Sequence, residues 1–307
     1  MKNNLKGSII LLLTALIWGT TFIMQKKATG FVDAFTFNFF RSIIATILLF
    51  VIALITRNKI ELKDTDDNGN VVSKKKIVIF SILAGIGMAG GASLQQIGLN
   101  TTDASTSAFL TSLYIVFAPI LGLAFGKKVS FKIWVCVFVA LVGAYILAKS
   151  NGDFFSMDLS IGSLIIVISA LFWALQIDAI GMIASNINPF KLCCIELFIT
   201  SIVSFIGMIA SEEVILVNVW KAMPYILYAA VLSGTLSFTF QNIGQKYCEA
   251  NLATLVMSLE AVFAAISGAI FLHERLSLIG IIGSILIFSS VIIAQINFKK
   301  RKNNNVS

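Results

Sequence analysis

Apolar residues along this chain fall into ten long runs, separated by gaps that hold most of the charged and turn-forming residues. A helix needs about 20 mainly apolar residues to cross the roughly 30 Å hydrocarbon core of a bilayer. Each run has about that length, so the pattern predicts ten membrane-spanning helices. The predicted spans are Gly7–Gln25, Phe35–Thr56, Ile77–Gly98, Ala104–Phe125, Phe131–Ala148, Ile161–Ile183, Phe190–Ala210, Met223–Gln245, Leu252–Leu272 and Leu278–Ile296.

The composition of the chain fits lipid better than water. Of 307 residues, 58% are hydrophobic and only 12% are charged, whereas a soluble domain has about a quarter of its residues charged. The net charge of +8 does not indicate nucleic-acid binding, because the basic residues lie in the gaps between apolar runs and in the tail. We therefore expect an all-α integral membrane protein, with membrane lipid and no nucleic acid among its partners.

The basic residues also predict an orientation. With ten spans and both termini on one side, 17 of the 23 Lys and Arg residues lie on that side, five lie on the other, and Arg41 lies within a span. Cytoplasmic loops carry such an excess. We predict a multi-pass protein of the cell inner (plasma) membrane with both termini cytoplasmic, a polar cytoplasmic loop at residues 57–76 and a basic cytoplasmic tail at residues 298–307.

Two halves of the chain resemble one another. Ala15–Trp18 matches Ala170–Trp173 at an offset of 155 residues, and Gln95–Gly98 matches Gln241–Gly244 at an offset of 146. These landmarks predict one repeat at residues 7–148 and another at 160–297. Each holds five spans, an odd number, so the second repeat enters the membrane from the opposite side. Inverted repeats of this kind recur in transporters, with the substrate site at their interface.

Helical periodicity places two candidate site residues on inward faces. In the ninth span, Glu260 shares a small and polar face. The opposite face, which we predict to contact lipid, is formed by Leu255, Leu259, Val262, Ile266 and Ile270. Tyr114 is the equivalent of Glu260 in the fourth span. An ionisable group at mid-membrane is costly and usually faces a cavity or a partner. The alternatives are a protonated or hydrogen-bonded structural carboxyl at Glu260 and a packed, satisfied hydroxyl at Tyr114.

Other polar and aromatic residues mark the same faces. Mid-span tryptophans next to amides and hydroxyls could hold an organic solute by stacking and hydrogen bonding. Interhelical hydrogen bonding is the alternative role of the glutamines. The predicted substrate-binding residues besides Tyr114 and Glu260 are Trp18, Thr21, Gln25, Gln95, Gln96, Thr111, Trp173, Gln176, Gln241 and Gln245.

Two charges at equivalent positions of the repeats have a different predicted role. Arg41 in the second span and Glu196 in the seventh lie on opposite sides of the midplane, so we do not expect them to form a direct pair. We interpret each as a gating or structural charge, with Arg41 as a substrate ligand the alternative. Asp178 lies near the predicted cytoplasmic end of the sixth span, where it could reach water.

The sequence argues against several classes of function. One histidine and four cysteines without metal-ligand spacing predict no metal site and no structural disulfide. The chain has neither a G-x-S-x-G nucleophile motif nor a phosphate-binding G-x-x-x-x-G-K-[ST] loop. We therefore expect no enzymatic activity, no cofactor and no ATP-driven transport.

Several motifs resemble the drug/metabolite transporter superfamily, EamA-type. They are Leu16–Phe22 with Phe39-Phe40-Arg41, Phe109–Tyr114 with Pro119, Gln241–Lys246, and Ser258–Phe263 with Glu274-Arg275-Leu276. The resemblance covers nearly the whole chain and implies a ten-span, two-repeat carrier with a cavity between the halves. The chain departs from the resemblance at Ala261, where such proteins often have Pro after the Glu. A proline there would favour a kink in the ninth span, and its absence removes that reason to expect one.

The repeats and the resemblance together lead to a functional hypothesis. We expect a secondary transporter that moves a small organic metabolite, such as an amino acid, a nucleoside or a drug-like solute, by alternating access. Glu260 could bind a proton and couple transport to the proton gradient; facilitated diffusion is the simpler mechanism. A channel or facilitative pore is the alternative function. Substrate identity, export or import, and oligomeric state stay open.

Overall fold

A computed structural model of the chain describes residues 2–56, 72–148, 160–271 and 278–295. Within those ranges every regular element is a helix. The helices are Lys2–Ala28, Ala34–Thr56, Lys74–Leu99, Ala104–Thr111, Tyr114–Ala124, Phe131–Ala148, Ile161–Gly181, Pro189–Ser211, Leu216–Tyr228, Ala229–Ser237 (a π-helix), Phe238–Gln245, Ala250–Met257, Glu260–Phe271 and Leu278–Gln295.

These helices form ten successive spans, which confirms the predicted fold class. In the described part of the chain, nine helical stretches are long and apolar enough to cross a membrane, and Phe131–Leu147 is a shorter apolar helix that serves as the fifth span. Large apolar side chains are exposed on the outside of the bundle, for example Ile55 and Ile209. Lipid is the solvent that suits such a surface, because it removes the cost of exposing apolar side chains to water.

Local signals in the sequence explain several helix ends. The side chain of Asn188 accepts hydrogen bonds from the first backbone N–H groups of the seventh span, and Pro189 occupies its first position. The beginning of the second span is capped by a residue that is distant in the sequence. The Glu212 carboxylate, which follows the seventh span, accepts the backbone N–H groups of Phe35 and Thr36 at 2.7 Å each. This cap ties the beginning of one half to the other half.

The packing of the spans follows the two repeats. The third span packs along the sixth, and the first span packs along the eighth, which is the equivalent pair when the halves are exchanged. The second span packs on the seventh and the fifth on the tenth, and these pairs map onto themselves under the same exchange. Each of these pairs joins one half to the other. The contacts therefore have the two-fold pattern expected of two inverted five-helix repeats.

Glycines allow the closest of these approaches. A β-carbon on Gly87 would lie 2.7 Å from the backbone nitrogen of Gln176, and one on Gly91 would lie 2.8 Å from the Trp173 ring. The third and sixth spans can therefore touch only because these positions lack a side chain. A β-carbon on Gly19 would lie 2.7 Å from the backbone nitrogen of Ala264 in the ninth span.

The fourth and ninth spans are interrupted, whereas the sequence predicted continuous helices. Ser112 and Leu113 separate the two parts of the fourth span, and Ser258 and Leu259 separate those of the ninth, at the same 146-residue offset. Both serine hydroxyls donate to the carbonyl three residues earlier, at 2.7 and 2.8 Å. A serine that bonds back to the helix competes with the regular ladder and bends it. The ninth span is thus interrupted even though Ala261 stands where a proline would favour a kink.

The eighth span is longer than predicted. It begins at Leu216 rather than Met223 and contains the π-helical segment Ala229–Ser237 between two α-helical parts. A π-helix has one extra residue per turn locally, and the Thr235 hydroxyl donates to the carbonyl of Ala230, five residues earlier. Hydropathy alone carries no signal for this change of helix type.

Of the five residues of the ninth span predicted to face lipid, Ile266 and Ile270 are exposed on the outside of the bundle, whereas the prediction is wrong for Leu255, Leu259 and Val262. All three are buried, as is every residue from 250 to 262. This part of the ninth span is enclosed by the other helices, so its apolar side chains contact protein all round. Periodicity could not separate lipid from an apolar protein neighbour, because both favour the same side chains.

Some predictions fall on residues that the structure does not describe. These include most of the polar loop at 57–76, the tail at 298–307, and His273.

Candidate functional site

A central cavity lies between the two halves. The space between its lining atoms measures about 430 Å³, including the part that opens toward solvent. The lining comes from seven of the ten spans: Trp18, Thr21, Phe22, Gln25, Arg41, Gln95, Thr111, Tyr114, Trp173, Ile177, Ser233, Phe238 and Glu260.

Three aromatic rings form one wall of the cavity. The ring centroids of Trp173 and Phe238 are 5.8 Å apart and nearly parallel, and Trp18 lies 5.1 Å from Phe238 and 6.3 Å from Trp173. Trp18 and Trp173 are equivalent in the two repeats, so the wall lies where the halves meet. Such rings provide a rigid apolar surface at low entropic cost.

The interrupted helices place two polar side chains on this cavity. Tyr114 and Glu260 are each the first residue of the second part of their span. The close approach at Gly19 brings the first span, which carries Trp18 and Thr21, against the ninth. The Tyr114 hydroxyl and the Glu260 carboxyl are near enough to interact, although the hydroxyl makes no hydrogen bond of regular geometry. Equivalent positions of the two repeats thus meet at the centre.

Four buried polar atoms on the cavity have no hydrogen-bond partner among the described residues. They are Trp18 Nε1, Thr111 Oγ1, Tyr114 Oη and Glu260 Oε1. Other buried atoms of this kind occur elsewhere, for instance Asn38 Oδ1 and Ser204 Oγ, on residues that do not line the cavity. A buried polar group without a partner costs roughly 1–3 kcal/mol. Two donor-acceptor hydroxyls, one donor and one acceptor therefore converge on a single space with unused hydrogen-bonding capacity.

The cavity also contains two ionisable side chains that are not joined in an ion pair. Arg41 is 6% exposed and Glu260 is 2% exposed. In the described part of the chain, no carboxylate lies within 4 Å of the Arg41 guanidinium and no cation lies within 4 Å of the Glu260 carboxylate. The guanidinium instead lies over the Phe37 ring, 5.6 Å from its centroid.

The second half holds a closed polar cluster at the positions equivalent to part of the cavity. Gln176 and Gln241 donate to each other's side-chain oxygen, at 3.1 and 2.9 Å. Gln176 and Asn242 donate to the two oxygens of Glu196, at 2.8 and 3.0 Å. All four side chains are buried. Here the glutamines serve interhelical hydrogen bonding, the alternative role considered above.

The predicted site residues therefore separate into two groups. Eight predicted substrate-binding residues line the cavity, and Arg41, predicted as a gating or structural charge, lines it with them: Trp18, Thr21, Gln25, Gln95, Thr111, Tyr114, Trp173, Glu260. Five predicted residues lie outside its lining: Gln96, Gln176, Gln241, Gln245 and Glu196. Gln96 donates to the backbone oxygen of Gln25 and Gln245 to that of Ile177. Their predicted roles stay predictions.

Sequence reasoning missed four lining residues and misplaced one charge. Phe22, Ile177, Ser233 and Phe238 line the cavity but have no pattern that separates them from other buried span residues. Asp178 does not reach water as expected: it is fully buried, and Lys127 Nζ lies 3.1 Å from its Oδ1. Lys127 follows the fourth span and Asp178 belongs to the sixth, so this ion pair joins the two halves.

Comparison with known proteins agrees with this architecture. The EamA-like transporter family matches the chain twice, over residues 5–149 and 160–295. An uncharacterized transporter of Archaeoglobus fulgidus is 30% identical over 294 residues, covering 95% of this chain and 87% of its own. The uncharacterized transporter YvbV of Bacillus subtilis is 25% identical over 97% of this chain and 94% of its own.

A solved crystal structure has the same fold. It superposes with a TM-score of 0.73 at 17% identity, and the match covers 94% of this chain and 96% of the other. At that identity the likeness concerns the fold alone. The two family matches, the relatives and the ten-span architecture agree: the chain is a multi-pass membrane transporter and belongs to the EamA-like transporter family.

Proposed function

We propose that the protein is a secondary transporter that moves a small organic metabolite across the plasma membrane by alternating access. The observation that carries this proposal is the convergence of four unpartnered, buried polar atoms on the cavity between the halves. Unused hydrogen-bonding capacity in an enclosed site is costly unless a ligand uses it. The aromatic wall next to these atoms supplies apolar contact for the rest of the solute.

The unequal state of the two halves supports alternating access. Thr21, Arg41 and Gln95 of the first three spans line the cavity. Their equivalents Gln176, Glu196 and Gln241 are instead joined with Asn242 in the closed polar cluster. Two halves of similar structure and opposite orientation can exchange these states. Exchange would close the present cavity at one membrane face and open it at the other.

The distribution of Lys and Arg along the chain indicates which membrane face each of these two arrangements lies toward. With both termini in the cytoplasm, as the excess of Lys and Arg favours, Gln25 and Arg41 lie toward the outer face. The closed cluster and the Lys127–Asp178 ion pair lie toward the cytoplasm. On this orientation the described conformation is closed on the inside.

Proton coupling is the finer part of the proposal. Glu260 is a buried carboxyl on the cavity, and a group in that position could take up a proton on one side and release it on the other. A pH gradient across liposomes should then drive uptake in the parent protein. Equal uptake with and without the gradient would indicate facilitated diffusion.

The proposal is tested by transport in liposomes. Purified protein, reconstituted into liposomes loaded with one unlabelled solute at a time, should exchange it for the labelled solute outside. The panel should span amino acids, nucleosides, sugars and drug-like cations. Trp18→Ala should lower exchange by removing part of the aromatic wall. Trp220→Ala, which changes an exposed residue outside the cavity lining, should not. Steady ion conductance without solute exchange would contradict the proposal and favour a channel.

A further inference from the structure

We infer that the Lys127–Asp178 ion pair is a gate that closes the cavity at one membrane face, and that the half-helix Tyr114–Ala124 connects this gate to the cavity. The inference rests on the proposed function, because it assigns residues to one of the two closures that alternating access requires. It follows that the pair is formed while that face is closed and is broken whenever the cavity opens there.

The pair lies between the cavity and the membrane face that carries Lys127. Ile177 lines the cavity, and Asp178 is the next residue toward the end of the sixth span. The Asp178 side chain is fully buried, whereas that of Lys127 is 25% exposed, and 3.1 Å separate Oδ1 from Nζ. The ammonium group is therefore nearer to water than the carboxylate is. Because the two residues belong to different halves, the pair joins the halves at this face.

The pair requires the fourth and sixth spans to be in contact. A β-carbon on Gly122 in the fourth span would lie 3.6 Å from Asp178 Oδ1. A β-carbon on Gly181 at the end of the sixth span would lie 3.2 Å from Lys127 Nζ. Each charged group thus lies against a glycine of the opposite span, where no side chain intervenes. Separation of the two spans must break the ion pair.

The backbone of Lys127 is fixed to the half-helix. Gly126, directly before it, has a φ of 77°, the left-handed conformation that favours glycine at the end of a helix. The Lys127 N–H donates to the Gly122 carbonyl at 2.9 Å. The Gly126 N–H donates to the Leu123 carbonyl at 3.0 Å. These two bonds form a Schellman motif, so the backbone of Lys127 moves with the half-helix Tyr114–Ala124.

The half-helix extends from the cavity to the gate. Its first residue, Tyr114, lines the cavity, and its 11 residues span about 16 Å at about 1.5 Å per residue. The interruption at Ser112 and Leu113 separates it from the first part of the fourth span. A break of this kind allows a segment to tilt as a rigid body, with the largest displacement at its far end. A solute that contacts Tyr114 can therefore act on the position of Lys127.

The closed gate leaves part of the Asp178 carboxylate unsatisfied. Its Oδ2 is buried and has no hydrogen-bond partner among the described residues. A buried polar atom without a partner costs free energy, and water entering at an open gate would remove that cost. The ion pair must thus offset a penalty that exists only in the closed state. Such a contact can hold a face closed and still release it.

The opposite membrane face lacks an equivalent gate among the described residues. At the 155-residue offset of the repeats, Asp178 corresponds to Ile23, which is apolar and 2% exposed. The nearby Lys26 donates to backbone oxygens at and after the end of the third span, in its own half. The Lys127–Asp178 pair is the one ion pair within 4 Å in the described part of the chain. We therefore expect the protein without solute to favour the conformation closed at the Lys127 face.

The inference is tested with Ile177→Cys as a reporter, in a chain without native cysteines, and with an impermeant maleimide added to one side of sealed vesicles. With the ion pair intact, the reporter should react from the face that carries the Ala28–Ala34 connection and be protected from the Lys127 face. Lys127→Met and Asp178→Asn should each raise the rate from the Lys127 face at least about tenfold, the factor that corresponds to about 1.4 kcal/mol.

Matched variants separate the gate from a general effect of charge. Lys128→Met removes the neighbouring, exposed cation and should leave the labelling rates from both faces unchanged. Lys127→Arg keeps a cation beside Asp178 and should keep the reporter protected. Labelling from the face opposite Lys127 should persist in every variant, which shows that the cavity is still formed. Because Lys127→Met and Asp178→Asn act on different partners, either one tests the gate if the other does not fold.

Two outcomes would overturn the inference. One is protection from the Lys127 face that persists when either partner of the pair is neutralised, because another contact would then close that face. The other is an equal rise in labelling with Lys128→Met, which would assign the effect to surface charge. Labelling of the intact reporter chain from both faces at equal rates, together with steady ion conductance, would instead count against the proposed transporter function itself.

Discussion

Three polar residues of the first half line a cavity, whereas their equivalents in the second half are hydrogen-bonded to one another. Thr21, Arg41 and Gln95 line the cavity, while Gln176, Glu196 and Gln241 close a buried network. The two sets occupy matching positions of the repeats, so the fold alone does not decide between open and closed. Whether a half is open to the cavity or closed depends on its side chains and on the conformation that it adopts.

The chemistry of the two sets explains much of the difference. Gln176 is long enough to reach both Gln241 and Glu196, whereas Thr21 bonds only to the carbonyl of Ile17 in its own helix, at 2.7 Å. Gln95 is bonded across the halves to Trp173. Among the described residues, no carboxylate lies within 4 Å of the Arg41 guanidinium, which packs over the Phe37 ring. One half can therefore seal itself with its own amides, and the other exposes a charge to the cavity.

The largest expected effect comes from the ion pair on the closed side. Lys127→Met should leave the buried Asp178 carboxylate without its cation and lower the free energy of unfolding by about 2–3 kcal/mol, less than for a fully buried pair because Lys127 is partly exposed. Denaturant unfolding in detergent, followed by circular dichroism, measures this. Asp178→Asn added to Lys127→Met should recover most of the loss. A double variant as unstable as the single one would contradict the account.

A smaller difference should separate the two equivalent charges. Glu196→Ala removes the acceptor for Gln176 and Asn242 and should lower the free energy of unfolding by about 2 kcal/mol, at roughly 1 kcal/mol for each lost bond. Arg41→Ala breaks no hydrogen bond to a residue that the structure describes and should cost less than about 1 kcal/mol, chiefly through lost packing on Phe37. The same unfolding experiment compares them. Equal losses would mean that Arg41 is as fully engaged as Glu196.

The smallest effect should distinguish the equivalent tryptophans. Trp173→Phe loses the bond from Nε1 to Gln95 and should cost about 1 kcal/mol of stability. Trp18 Nε1 has no hydrogen-bond partner among the described residues. Trp18→Phe should therefore change stability little while solute affinity falls. Thermal unfolding with and without a bound solute separates the two effects. The opposite assignment, with Trp18→Phe the less stable variant, would refute the view that Trp18 Nε1 is free for a ligand.

Much of this comparison could be predicted from the sequence. The repeated Trp and Gln landmarks identified the two halves, and helical spacing placed Trp18, Tyr114 and Glu260 on inward faces that do meet. These features depend on periodicity and on the high cost of polar groups in lipid, and both are local properties of the chain.

Other features could not be predicted because they depend on which helices touch. The Lys127–Asp178 pair joins residues 51 positions apart in different halves. In the sequence, Phe238 is one apolar residue among many, and nothing there indicates the π-helix that directly precedes it. Whether Gln176 or Thr21 faces a cavity depends on whether its half is open or closed. The helical spacing of polar residues carries no information about that conformation.

Equivalent positions of the two halves should be reached from opposite membrane faces, and every other expectation depends on this one. Gln95→Cys and Gln241→Cys, each in a chain without native cysteines, test it in sealed vesicles with an impermeant thiol reagent applied to one side at a time. Gln95→Cys should react from the face that carries the Ala28–Ala34 connection. Gln241→Cys should be protected, and should become reactive only from the opposite face when a transported solute is added. Labelling of both cysteines from the same face, or at equal rates without solute, would contradict the account.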